Sequence, residues 1–200
     1  MTLPAVDIHL IQIVDAALLA TAQKSGEWLA CKPGCHQCCV GVFTINRLDA
    51  ARLRNGFADL LASDPERASR ISQRVANSAR RLAADYPGNS VTGLLDESIE
   101  ARVAFDSFAN EETCPVLDPD TGTCDLYAWR PMTCRIFGPP VRSEDGLGVC
   151  ELCYHGATEE EIAACEMVPD PGGLEAILLE DLECQTGVNA NTIVTFALSV

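Results

Sequence analysis

A chain of 200 residues with a formal net charge of −15 and eleven cysteines excludes several roles at once. So acidic a protein is a poor partner for nucleic acid. A chain this long buries roughly 70% of its unfolded surface without staples, so the cysteines are not there to rescue a small fold, and their odd number fits a closed disulfide framework badly.

The segment from Ile8 to Ala22 is apolar but broken by His9, Gln12 and Asp15, and Asp7 precedes it. With no basic stretch before it, it reads poorly as a signal peptide, and it is too short and too charged to span a membrane. A helix over 7–23 is the expectation, with Ile8, Ile11, Val14 and Leu18 on one face. The expected compartment is the cytoplasm, where thiols stay reduced and clustered cysteines more often bind metal.

The next stretch is Cys31-Lys-Pro-Gly-Cys35-His-Gln-Cys38-Cys39. Pro33 and Gly34 make it a turn rather than a helix or strand. Val40 to Ile45 is β-branched and apolar, suited to a strand or to an extended entry into a helix. Asn46 or Asp49 then caps a helix running to about Leu61.

A longer helix follows, with Asp64 at the N-cap, Pro65 in the first position and Gly88 just past the end. Its apolar stripe is Ala68, Ile71, Val75, Ala79, Leu82 and Tyr86, with Arg67, Arg70, Arg74 and Arg81 on the other side. A further helix is expected from about Leu94 to Phe108, with Leu95, Ile99, Val103 and Phe105 on its apolar side.

Between Arg47 and Arg81 there are eight arginines and four acids, whereas after Arg142 there are twelve acids and no lysine or arginine. Charge runs are usually solvated faces, and two such oppositely charged halves most simply face each other. The arginine face is the place where a protein partner would dock.

From Cys114 to Cys153, prolines and glycines forbid long regular elements. Asp120-Thr-Gly122 signals the turn of a short hairpin. Thr158-x-x-Glu161 is a capping box that opens a helix to about Met167. A Pro/Gly loop at 169–173 leads to a helix at about 174–186, stopped by Gly187. Thr192 to Val200 suits a strand or a buried helix equally.

These elements make a mainly α fold, a single domain over 1–200 whose helices pack around an irregular cysteine-rich core. The cysteine-cluster region spans 31–153 with a helical insert at 46–110, and C-terminal helices occupy 158–187.

Nine cysteines fall in irregular segments: Cys31, Cys35, Cys38, Cys39, Cys114, Cys124, Cys134, Cys150 and Cys153. Thiolates bind a metal at about 2.3 Å, and short C-x2-C loops deliver them in pairs; Cys35/Cys38 and Cys150/Cys153 have that spacing. Cys39 directly follows Cys38, and adjacent thiols suit a polynuclear centre or two nearby sites. All nine are candidate metal ligands, for an iron–sulfur cluster or for Zn2+. His36 and His155 read more simply as polar neighbours than as ligands. Cys165 and Cys184 fall on expected helices and read as small buried hydrophobes.

Arg130 and Arg135 flank Cys134, with Pro131 fixing the turn between them. Several thiolates crowd negative charge onto a metal site, and guanidinium groups offset it by donating to sulfur or to Asp118 and Asp125. Arg130, Arg135 and Tyr127 are therefore the candidate side chains around the cofactor.

The run Cys31…Cys35-x2-Cys38-Cys39 followed by C-P-x-L…G-x-C-x-x-Y-x-x-R-P-x-x-C-R resembles the YkgJ-type cysteine-cluster family over about 31–153. That family is described as a zinc- or iron-chelating domain and includes relatives of flagellin lysine N-methylase. The resemblance implies Cys35, Cys38, Cys39, Cys114, Cys124 and Cys134 as the central ligands. Cys31 stands one residue further from its neighbour than the family pattern has it, and a spacer of 74 residues separates Cys39 from Cys114.

The first functional expectation is thus a metal-binding protein, iron–sulfur ahead of zinc, whose partner is the metal ion or cluster. Whether it is an enzyme stays open. A protein-modifying methyltransferase is the second, although no G-x-G-x-x-G cofactor loop follows a strand. The C-x3-C-x2-C spacing of a radical enzyme is present, but the chain is too short and too helical for the barrel such chemistry uses. A thiol-redox protein is the third; Cys150-x2-Cys153 lacks the helix N-terminus that would activate it.

Overall fold

The computed structural model describes residues 3–143, 146–187 and 189–199. The chain gathers into two compact units. One comprises Gly34–Pro131 with the C-terminal segment from Thr186, and the other comprises Pro4–Pro33 with Met132–Gln185. The cysteine-cluster region is shared between them.

The first unit is built on two capped helices. The Asn46 side chain accepts a hydrogen bond from the Asp49 N–H at 3.0 Å and starts α1 (Arg47–Ser63). Asp64 does the same for Arg67, also at 3.0 Å, and starts α2 (Pro65–Leu82) with proline in its first turn. Each such cap contributes about 1 kcal/mol. α2 buries Ala68, Ile71, Val75 and Leu82, as its sequence stripe predicts. It ends at Leu82 rather than near Gly88, because residues 88–89 are taken by a two-residue strand, β1, antiparallel to β2 (Leu94–Leu95).

Strand pairing therefore claims the start of the helix expected at 94–108. What remains is α3 (Ile99–Asp106), capped by Ser98. Its expected apolar face goes inward only in part: Leu95 and Phe105 pack against Tyr86, Phe108 and Phe196, while Ile99 is 77% and Val103 64% exposed.

The Val40–Ile45 run makes no continuous strand. It forms single bridges at its two ends, Val40 to Thr113 and Ile45 to Thr192. The second, closed by hydrogen bonds of 2.8 and 3.0 Å, seats a terminal helix, α4 (Val194–Ser199), on α1 and α2. Ile45, Leu53, Ile71, Val75, Val116, Leu126, Val194 and Ala197 form the resulting core. Val200 lies outside the described residues, but the rest of the 192–200 segment is helical where it is regular.

The hairpin signalled by Asp120-Thr-Gly122 is present as β3 (Leu117–Asp118) and β4 (Thr123–Cys124), in register Leu117 to Cys124. A 3-10 turn at Tyr127–Trp129 follows, and its Trp129 ring lies against α1 at Gly56. A Cβ on Gly56 would stand 2.2 Å from the indole. Glycine inside a helix costs about 1 kcal/mol relative to alanine; here it gives the indole room to seat the loop after Cys124.

The second unit contains α5 (Asp7–Ser25), the first helix of the chain. It buries Leu10 and Val14 and half-buries Ile11 and Leu18 of the expected face, but leaves Ile8 67% exposed. Its packing partner is the five-residue helix α6 (Met132–Ile136). There Asp15 holds Arg135 at 2.7 and 3.0 Å. A hairpin, β5 (Val141–Ser143) with β6 (Gly146–Gly148), comes next. Then come α7 (Glu159–Ala164), opened by the full Thr158/Glu161 capping box, and α8 (Leu174–Thr186). α7 stops before Met167 because Cys165 leaves the helical conformation at its C-cap. Cys184 is exposed on α8 rather than buried.

Candidate metal centre

Two stretches 74 residues apart meet in the first unit. The Cys114 N–H donates to the Cys39 carbonyl at 2.8 Å and the Gly41 N–H to the Glu112 carbonyl at 2.9 Å. This short antiparallel contact, with the Val40–Thr113 bridge between, sets Cys39 beside Cys114. The hairpin adds Cys124: Leu117 N–H reaches back to the Cys114 carbonyl at 3.0 Å, and Asp125 N–H donates to Val116 at 2.8 Å.

α2 holds this loop in place with charged side chains. Arg74 Nε donates to the Pro115 carbonyl at 2.8 Å. Arg67 Nε reaches Asp125 Oδ1 at 2.5 Å, and Arg74 Nη2 takes the other carboxylate oxygen. Glu112 receives Arg81 at 2.6 Å and the Ser78 hydroxyl at 2.7 Å. Burial raises the Glu112 pKa, but these two donors outweigh it and hold the carboxyl below its usual range. Arg67, Arg74 and Arg81 of α2 thus find acids at Glu112 and Asp125 of their own unit. Asp125, buried next to a candidate ligand, is therefore claimed by α2, and Arg135 by Asp15.

The thiols of Cys38, Cys39, Cys114 and Cys124 are close enough to act on one another. Cys38 and Cys39 share a hydrogen bond, which brings the Cys38 thiol down to about 6 and drives Cys39 up. Burial pushes Cys114 up to about 12 and raises Cys124 as well, and each also feels Cys38. Arg130 favours the thiolate at both Cys38 and Cys124. Its guanidinium sits 4.0 Å over the Tyr127 ring and donates to the Tyr127 carbonyl at 3.0 Å, so the Tyr127 turn fixes the charge near the sulfurs. His36 is exposed, with Nδ1 at 3.1 Å from the Gly34 carbonyl, and adds a weaker pull on Cys38.

A thiol held below its unfolded value of about 8.5 stabilises the fold as thiolate above that value, and the contribution is lost as pH falls through about 6. In metal-free protein, alkylation by iodoacetamide is expected to show one low midpoint, near pH 6, at Cys38, with the exposed Cys31 and Cys184 reacting only at higher pH. Peptide mass spectrometry identifies the site. Reaction at several cysteines, all with midpoints above about 8, would count against this arrangement.

Among the described residues, no three Cys, His, Asp or Glu side chains converge tightly enough to hold a metal ion as they stand. The donor set nevertheless fits one: four thiols from two loops, joined by backbone hydrogen bonds, with a guanidinium beside them. Closing on a metal requires the sulfurs to draw inward from this arrangement.

Of the nine candidate cysteines, the first unit holds Cys35, Cys38, Cys39, Cys114 and Cys124. The second holds Cys31, Cys134, Cys150 and Cys153. His155 is exposed in the second unit.

A family model, CxxCxxCC, described as "Putative zinc- or iron-chelating domain", matches residues 30–154. The chain belongs to this family. The nine cysteines from Cys31 to Cys153 lie within the matched residues, and the match agrees with the family that the sequence resembles. No curated protein and no solved structure matches the chain. No helix among the described residues is long and apolar enough to cross a membrane.

The sequence alone did not mark Arg67, Arg74 or Arg81 as supports of the site. Their seven-residue spacing, which keeps them on one helical face, with Asp125 adjoining Cys124, was the available signal.

Proposed function

We propose that this CxxCxxCC-family protein binds an iron–sulfur cluster through Cys38, Cys39, Cys114 and Cys124. The observation that carries this reading is the gathering of these four thiols in one unit, tied by the Cys114–Cys39 hydrogen bond. Cys35 lies on the same loop and is the reserve ligand. Adjacent thiols such as Cys38 and Cys39 reach one small ion awkwardly, whereas a cluster offers several irons to ligate. Arg130 offsets the negative charge that four thiolates place on the centre. A bound cluster would supply one-electron chemistry; the chain supplies the thiolates and their compensation.

Anaerobic purification with absorbance and metal analysis tests this. A brown protein with iron and labile sulfide is the expected result, and Cys114→Ser loses both. A colourless, iron-free protein with stoichiometric zinc lost in the same variant would replace the cluster with zinc. Full iron content in Cys114→Ser would refute the assignment of the site.

A further inference from the structure

The second unit gathers thiols of its own. Cys150, Cys153 and Cys165 are all buried, at 7%, 5% and 6% exposure, and share one cluster with Tyr154, Trp28 and Leu29. Cys150 and Cys153 bracket a turn closed by the Cys153 N–H on the Cys150 carbonyl at 2.9 Å. The segment after α5 lies against them: Tyr154 N–H donates to the Trp28 carbonyl at 2.8 Å, and the Tyr154 hydroxyl is hydrogen-bonded to Ser25.

That segment brings Cys31. Its sulfur occupies the space a side chain on Gly138 would fill, since a Cβ there would stand 2.6 Å from Cys31 Sγ. Gly138 has φ +121°, which a side chain resists. The Gly138 carbonyl also accepts from the Cys150 N–H at 3.4 Å. One glycine thus joins Cys31 to the Cys150 turn.

Two features separate this group from ordinary buried cysteines. Tyr154, bulky and not glycine, sits at φ +58°, a conformation that costs about 1–2 kcal/mol. Its strained backbone follows Cys153 directly, and its ring packs in one buried cluster with Cys165. Strain of this kind persists where the surroundings fix it and collects at ligand sites.

We propose that the second unit carries a separate site for one zinc ion, built from Cys31, Cys150, Cys153 and Cys165. Cys165 lies beyond the residues matched by the family model, and the site does not depend on a cluster in the first unit. Four thiolates around one ion make a closed structural site. Binding releases four thiol protons and leaves a net charge of −2. The sulfurs close in on the ion from their metal-free arrangement, as at the first centre. No adjacent cysteines are present here, so a mononuclear ion suits the group better than a cluster does.

The test uses the full chain carrying Cys114→Ser, with iron content read separately so that the first centre is judged by itself. Anaerobic titration of the metal-free protein with Co2+ should give thiolate-to-cobalt charge-transfer absorption saturating at one ion per chain, discharged by one equivalent of Zn2+. Cys165→Val, which preserves an apolar volume, should weaken this binding by more than tenfold with the helical circular dichroism kept. Cys184→Ser, at the exposed cysteine of α8, should leave it unchanged. Unaltered Co2+ binding in Cys165→Val would overturn the proposal, because Cys165 would then be only a buried apolar group. Loss of the signal in Cys184→Ser with retention in Cys165→Val would overturn it equally.

Discussion

Removing the metal from the first unit is expected to release the 112–131 segment while leaving α2 folded. Hydrogen exchange on the loaded and chelator-stripped protein reads this directly. The reasoning rests on how little regular structure the thiol-bearing segment has. β3 and β4 are two residues each, and so short a hairpin is not stable by itself. α2 instead buries Ala68, Ile71, Val75 and Leu82 against α1 and α4, a core that needs no sulfur ligand. Apparent binding energies of about 10–16 kcal/mol for structural zinc in small fingers show how much order a thiolate site imposes on its loops. The Arg67, Arg74 and Asp125 contacts tether the stripped loop, so amides near Asp125 should exchange more slowly than those at 118–123. Equal protection across both forms would mean that the loop is ordered without the metal.

The helices of the first unit were legible because their signals are local. Asn46, and Asp64 with Pro65, each satisfy N–H groups within the first turn, and the Ala68–Ile71–Val75 stripe follows the 3.6-residue period. The Asp120-Thr-Gly122 turn and the Thr158–Glu161 box were readable for the same reason. The choice of buried face was less so. α5 turns Leu10 and Val14 inward instead of Ile8 because it packs on α6, a partner 120 residues away, and nothing within 7–23 records that. α3 exposes Ile99 and Val103 because pairing of Leu94–Leu95 with Gly88–Asn89 fixes where the helix starts.

The cysteines divide in the same way. Their spacing identified metal-ligating chemistry, and the family match supports that. The sorting of individual sulfurs is a matter of chain crossings. The meeting of Cys39 with Cys114 depends on a backbone contact at residues 39–41 and 112–114. Cys165 joins its group by packing with Cys150, Cys153 and Tyr154, and no sequence pattern announces the left-handed backbone of Tyr154.

The largest single-residue effect on stability should come from Asp49. Its carboxylate pairs with Arg52 at 2.5 Å, and both side chains are only 2% exposed. The pair lies inside α1, whose neighbours Leu48 and Leu53 are fully buried. Taking one partner from such a pair leaves the other charge poorly compensated in a medium that solvates it poorly, at about 3–5 kcal/mol. Asp49→Ala should therefore lower the first unit's thermal midpoint by roughly 6–20 °C, since each kcal/mol shifts a chain of this size by about 2–4 °C. The loss should hold at neutral pH in metal-free protein, where no thiolate site masks it. Replacing both partners, Asp49→Ala with Arg52→Leu, removes the stranded charge and should cost less than Asp49→Ala alone. If the double variant proves the less stable, or the single one shifts the midpoint by under about 2 °C, the buried pair is not what secures α1. The Asn46 cap and the Trp129 contact at Gly56 would then have to hold the helix that supports the thiol loop.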